Sequence, residues 1–331
     1  MNHYLLSLLL GIIEGLTEFL PVSSTAHLRI SEALLGIDLS NGYWKMYTIV
    51  IQLGAILCLP IYFRSRIART LETYRSSLAV VGYLTLLFWL PFSILCLPAW
   101  LAAVKNVSKP ESANRNESSQ YTSLRHPLTL VMVAFVCTAI PAFLLTKVIG
   151  KHLESLTVMG WSLLIGGIIM WIVDRMFGTT RPGGRHQTER MEEMSMGQAI
   201  WIGICQIASA VFPGTSRSMS TISAGQVVGM SRPAALEFSF FLSMPTMAAA
   251  TAYELLRTFH PKHGEPLGAM PANAEEWVVL AIGFVVSFIV ALAVVAWFMN
   301  WVRQRGFTIF AIYRIIVGTA VLVWVFKGHG Q

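Results

Sequence analysis

EGLTEFLPVSSTAH, residues 14–27, puts two carboxylates, a proline, two adjacent serines and a histidine directly behind the apolar run LLSLLLGII (5–13). The residue before a proline resists helical geometry, and serine is a preferred helix N-cap. The stretch therefore reads as an apolar helix that breaks near Pro21 and restarts at the serines.

The surrounding composition sets the solvent. The chain has 331 residues, 55% hydrophobic and 12% charged, with a mean hydropathy of +0.61. Soluble domains carry about 25% charged residues. Apolar stretches recur at 46–63, 78–104, 128–149, 157–173, 236–255, 277–302 and 308–326, and a membrane helix needs about 20 such residues. The expected fold is an all-α polytopic membrane protein. The N-terminal run lacks a Lys/Arg region and carries Glu14 and Glu18, unlike a cleavable signal peptide. Cys58, Cys96, Cys137 and Cys205 stand singly in apolar runs, so free thiols are expected. The net charge of +7 is no argument for nucleic acid, because most basic residues flank the apolar spans.

The break occurs twice. At an offset of 192 residues, GIIEGLTEFLPVSSTAH (11–27) falls on GICQIASAVFPGTSRSM (203–219), with Gly11 on Gly203, Pro21 on Pro213 and Ser24 on Ser216. Each copy follows an apolar run and sits among the polar residues, as in an internal duplication. Non-helical backbone at membrane depth is tolerated only inside protein or against a wet cavity. Paired broken helices in two halves point to a binding site between them.

The expected first repeat, 1–178, holds a re-entrant pair at 1–36, helices 46–63, 127–149 and 157–175, and an inserted segment 76–125 with a hairpin bent near Pro91. The second, 193–331, holds a re-entrant pair at 195–230 and helices 236–255, 277–302 and 308–326. Together they form one integrated membrane domain. Three net crossings per half is odd, so the repeats have inverted topology. Fifteen Lys/Arg residues gather on one side and six on the other. The richer side is expected to be cytoplasmic.

Glu14 and Glu18, at i and i+4, repel each other, and an intramembrane carboxylate is costly. A divalent cation or an arginine would compensate; one protonated, structural Glu is the plainer alternative. Ser24 and His27, at i and i+3, suggest a hydroxyl nucleophile and its base. The plainer readings are a helix cap for Ser24 and a histidine bonded to a backbone carbonyl for His27. Ser23 and Thr25 flank them as binding hydroxyls. In the second copy, Arg217 follows Ser216 at a helix start, with Ser218 and Thr221 on the first turn, a set suited to an anion. One half is acidic and the other cationic, so a cation–phosphate ligand fits between them.

EGLTEFLPVSSTAH and PGTSRSMSTISAG resemble the two signature segments of the bacterial undecaprenyl-diphosphate phosphatase family, also known for bacitracin resistance. The likeness extends to QLGAI (52–56), EFSFFLSMP (237–245) and FAIYR (310–314) and covers most of the chain. It implies a multi-pass hydrolase of the bacterial inner membrane, its site on the outer side, that removes the terminal phosphate of undecaprenyl diphosphate. It further implies Mg2+ or Ca2+ and, as site residues, Glu14, Glu18, Ser24, His27, Ser216, Arg217 and Thr221. Ala26 and Met219 stand where the family usually has glycine. The expected partners are the polyprenyl diphosphate and membrane lipids, with a homodimer as a possible assembly. In the expected mechanism Ser24 attacks phosphorus as His27 takes its proton, Glu14 and Glu18 hold the metal, and Arg217 stabilises the charge. Direct attack by His27 is the rival.

Inverted repeats with broken helices are also the architecture of secondary transporters, so a transporter or flippase for a lipid phosphate or other anion is the alternative. A transporter needs no nucleophile and base. An intramembrane metalloprotease is weaker, because HExxH does not occur.

Overall fold

A computed structural model describes residues 2–37, 42–75, 126–145, 155–178, 188–260 and 268–329. The hairpin expected near Pro91 lies outside these residues, as does 179–187 between the two expected repeats. Apart from one isolated bridge between Thr188 and Met230, no strand occurs among the described residues.

Chain order gives α1 (His3–Thr17), α2 (Ser24–Leu35), α3 (Gly42–Ile56), α4 (Cys58–Tyr62), α5 (Arg64–Arg75), α6 (Pro127–Leu144) and α7 (Leu156–Phe177). After them come α8 (Met196–Val211), α9 (Arg217–Val227), α10 (Arg232–Phe259), α11 (Ala274–Arg305) and α12 (Thr308–Trp324). Side-chain caps set many of the starts. Asn2, Ser155, Ser195, Ser231 and Asn273 each accept a backbone N–H of the helix that follows.

Among the described residues, five helical segments are long and apolar enough to cross a membrane: Gly42–Tyr62, Pro127–Leu144, Leu156–Phe177, Ala274–Arg305 and Thr308–Gly328. The sequence reading expected six. The exception is α10, which has the length but includes Glu237, Ser239, Ser243 and Glu254. It packs on α3, α4, α6, α9 and α11, and Leu236, Phe238, Phe240 and Leu242 are buried. Its buried part can carry polar side chains because they are bonded within the protein, Ser239 to Thr221 and Ser243 to the Phe240 carbonyl, so its composition falls short of the others.

Each break is flanked by a helix that packs on the opposite half of the chain. α1 lies along α11 and α8 along α6, while α7 and α12 pack together. Small residues permit the close approach. A Cβ on Gly11 would come 2.9 Å from the Gly283 carbonyl, and one on Gly203 would overlap the Ala134 carbonyl. Gly11 and Gly203 are the pair matched by the 192-residue offset.

Beyond the breaks, α9 and α12 are anchored by Asp174 at the end of α7. Its buried carboxylate accepts from Arg232 Nε at 2.7 Å, Gln226 Nε2 at 3.2 Å, the Phe307 N–H at 3.1 Å and Thr308 Oγ1 at 3.0 Å.

Candidate active site

The first break spans residues 18–23 and the second 212–216. Each ends in a serine with left-handed backbone, Ser23 (φ 74°) and Ser216 (φ 69°), and these are the two positive-φ residues other than glycine among those described. Each serine hydroxyl accepts a first-turn N–H at 3.4 Å, from Ala26 and Met219 respectively. The cap in the first break is thus Ser23, and Ser24 is the first residue of α2. Counted from the caps, the halves are offset by 193 residues, one more than the ungapped match, because the second break carries an additional residue between proline and serine. Ser24 accordingly corresponds to Arg217, and Ala26 to Met219.

These two corresponding residues meet on one carboxylate. Glu18, immediately after α1, accepts the Ser24 hydroxyl on Oε2 at 2.5 Å and Arg217 Nη2 on Oε1 at 3.0 Å. Glu18 is 6% exposed. One turn earlier Glu14 has no exposure, and neither of its oxygens has a hydrogen-bond partner. Arg217 likewise leaves Nε and Nη1 unpartnered. A buried polar group without a partner is costly. Glu14 lies in electrostatic range of both Glu18 and Arg217.

His27 is placed differently from the expected nucleophile–base pair. Its Nδ1 lies 2.7 Å from the Ser23 carbonyl and its Nε2 lies 2.8 Å from the Tyr313 hydroxyl. A carbonyl only accepts, so Nδ1 carries the proton and Nε2 accepts from Tyr313. The rings stack with centroids 5.6 Å apart. The hydroxyl of Ser24 goes to Glu18 instead. A histidine bonded to a backbone carbonyl was the plainer reading of the sequence.

The remaining hydroxyls divide. Ser218 donates across to the Leu20 carbonyl of the first break at 3.2 Å and lies 3.3 Å from the Ser216 hydroxyl. Thr221 is buried against α10, where its hydroxyl is bonded to the Arg217 carbonyl at 3.0 Å and lies 2.7 Å from that of Ser239. Thr25 is exposed. Met219 is buried beside Gly166 of α7, and Ala26 packs with Met159 and Leu163 of that helix.

The sequence reading assigned no role to Arg314 or Tyr313, although both lie in the FAIYR segment. A lone arginine inside an apolar helix was the available signal.

The fold and these buried polar groups define a multi-pass helical membrane protein with a charged site where two broken helices meet. The family model described as Bacitracin resistance protein BacA matches residues 7–320, and the chain belongs to that family. It is 58% identical over 329 residues to an undecaprenyl-diphosphatase of Koribacter versatilis (strain Ellin345), covering 99% of this chain and 100% of the relative. Proteins of the same name from Rhizobium etli (strain CIAT 652) and Caldanaerobacter subterraneus subsp. tengcongensis are 37% and 34% identical. Those matches cover 96% of both chains in the first case, and 97% of this chain and 96% of the relative in the second.

Proposed function

We propose that the chain is an undecaprenyl-diphosphatase, hydrolysing the lipid diphosphate to undecaprenyl phosphate and inorganic phosphate. The carrying observation is the Glu18 carboxylate held between the Ser24 hydroxyl and the Arg217 guanidinium. Family membership and the relatives' shared name support this over transport, and so does a hydroxyl already hydrogen-bonded to a base.

In this reading Ser24 Oγ attacks the terminal phosphorus while Glu18 takes its proton. The Oγ–P bond forms, and the bond from phosphorus to the bridging oxygen breaks, releasing undecaprenyl phosphate. Water then attacks the phosphoserine, and inorganic phosphate leaves. The free N–H groups of Arg217 and the first-turn N–H groups of α2 and α9 stabilise the transferring oxygens, where phosphoryl transfer gains most. His27 is the neighbour that fixes the first turn of α2, its Nε2 lone pair engaged by Tyr313.

Two carboxylates are the available oxygen donors, and no group of three or more His, Cys, Asp or Glu side chains gathers there among the described residues. Glu14 offers two buried oxygens without partners, beside Glu18, and Mg2+ and Ca2+ favour oxygen ligands. Glu14 and Glu18 would hold the ion, whose charge would offset that of the diphosphate when bound.

The finer architecture is part of the same proposal. Exchanging the halves turns the α1–α11 packing into α8–α6, and α3–α11 into α10–α6, all four of which occur. This supports two repeats related by a two-fold axis. The three apolar spans of the first half, an odd number, support inverted topology. Fifteen basic residues against six supports a cytoplasmic side for the richer loops, and the family resemblance supports a cytoplasmic-membrane protein whose site opens outward. Assembly as a homodimer is tested by the mass of the purified protein. Phosphate release from the C55 diphosphate by protein in detergent, with and without EDTA, tests the function. No release under either condition refutes it.

A further inference from the structure

Arg314 has no solvent exposure and heads the fully buried side chains in volume. All its hydrogen bonds go to backbone carbonyls: Nη1 donates to Pro21 O at 3.2 Å, and Nη2 to Ser162 O at 3.0 Å and Gly214 O at 3.1 Å. No carboxylate among the described residues forms an ion pair with it. A buried guanidinium without a counter-ion is expensive, so the carbonyls it selects are informative.

Pro21 lies two residues before Ser23, and Gly214 two residues before Ser216. One side chain thus grips the equivalent carbonyl in both breaks, one nitrogen to each. Both grips sit just upstream of a left-handed serine, a conformation that persists only where its surroundings over-determine it. Ser162 of α7 supplies a third, fixed point. Both Nη atoms are committed to these carbonyls, and Nε is buried without a partner.

We propose that Arg314 is a positioning residue for phosphoryl transfer. It locks the two break loops in mutual register, so that Ser24 and Arg217 converge on Glu18. The proposal rests on the site reading above. It differs from a binding role in acting through the alignment of other groups.

The test is steady-state phosphate release from C55 diphosphate by purified variants, with kcat and KM separated. Misplacement by about 1 Å costs on the order of 10²-fold in rate. Arg314→Met should therefore lose about 10²-fold in kcat with KM within about threefold of the parent. Arg314→Lys keeps the charge but not the fork, and should fall between. Gly166→Ala serves if Arg314→Met does not fold. Its new Cβ would overlap Arg314 Nη2 and lie 2.8 Å from the Met219 methyl, displacing the guanidinium while retaining it. We expect kcat about tenfold lower there. Coupling is the reading a purely structural role would not move: Arg217→Lys should cost less in the Arg314→Met or Gly166→Ala background than alone.

Additive effects, an unchanged kcat, or a raised KM at constant kcat would each overturn the assignment. Full activity of Ser24→Ala or Glu18→Gln in the same assay would instead refute the site reading on which it rests.

Discussion

At residues 18–23 and again at 212–216 the chain leaves a helix, passes a proline and enters the next helix through a left-handed serine. The caps match to within 5° in φ, 74° against 69°, and both first-turn N–H bonds measure 3.4 Å. The side chains have gone opposite ways. The first break has Glu14 and Glu18 behind it and Ser24 at its helix start. The second has Gln206 where Glu14 stands in the first, and begins its helix with Arg217. The same backbone frame thus delivers a hydroxyl and its base from one side and a cation from the other. In the proposed reaction, catalysis depends on that asymmetry and alignment on the likeness.

The largest expected effects come from removing the acidic side. Ser24→Ala and Glu18→Gln should each lose on the order of 10³-fold or more in kcat, as removal of a nucleophile or general base does. Acid-quenched wild-type enzyme should hold an acid-stable, alkali-labile phosphate on Ser24. An acid-labile adduct that survives in Ser24→Ala would reverse the roles of Ser24 and His27.

On the cationic side, Arg217→Lys keeps the charge but not the geometry. It should lose roughly 10²-fold, the scale of one oriented donor to a developing oxyanion. A variant with normal kcat would mean that the two breaks do not share the reaction.

Gln206→Glu makes the second break resemble the first. Gln206 donates to Thr246 at 3.1 Å, whereas Glu18 is paired with Arg217. An added carboxylate there should destabilise by about 3 kcal/mol, seen as a lower melting temperature without gain of activity. Stability equal to wild type would show that the second break tolerates the first's charge.

Tyr313→Phe should be mildest, about 1 kcal/mol for one lost hydrogen bond, read as a few-fold change in kcat. A much larger loss would place Tyr313 in the proton path.

The membrane class was legible because apolar runs are a property of composition, and both breaks were legible because proline and serine act locally. The first transmembrane segment starts earlier than its apolar run, at Gly42, and is interrupted at Leu57. The one-residue slip between the halves was hidden, since an ungapped match cannot register an insertion inside a loop. Ser24 and His27 looked paired because i, i+3 spacing is visible along a helix. The Glu18–Ser24 bond spans a break, and its geometry follows from the turn rather than from spacing. Arg314 is 293 residues from Pro21, a separation over which no local pattern speaks.

The packing of α1 against α11 carries a consequence for biosynthesis. The ribosome finishes α1 long before its partner exists. At about 5–20 residues per second, the acidic break waits roughly 15–60 seconds for α11 and α12 to emerge. For much of that interval the nascent chain must keep two carboxylates out of lipid without Arg217, which later pairs with Glu18. The insertion machinery, or water at the bilayer surface, has to shelter the first hairpin. The last-made helices are the ones that pack along α1 and bond the two break loops.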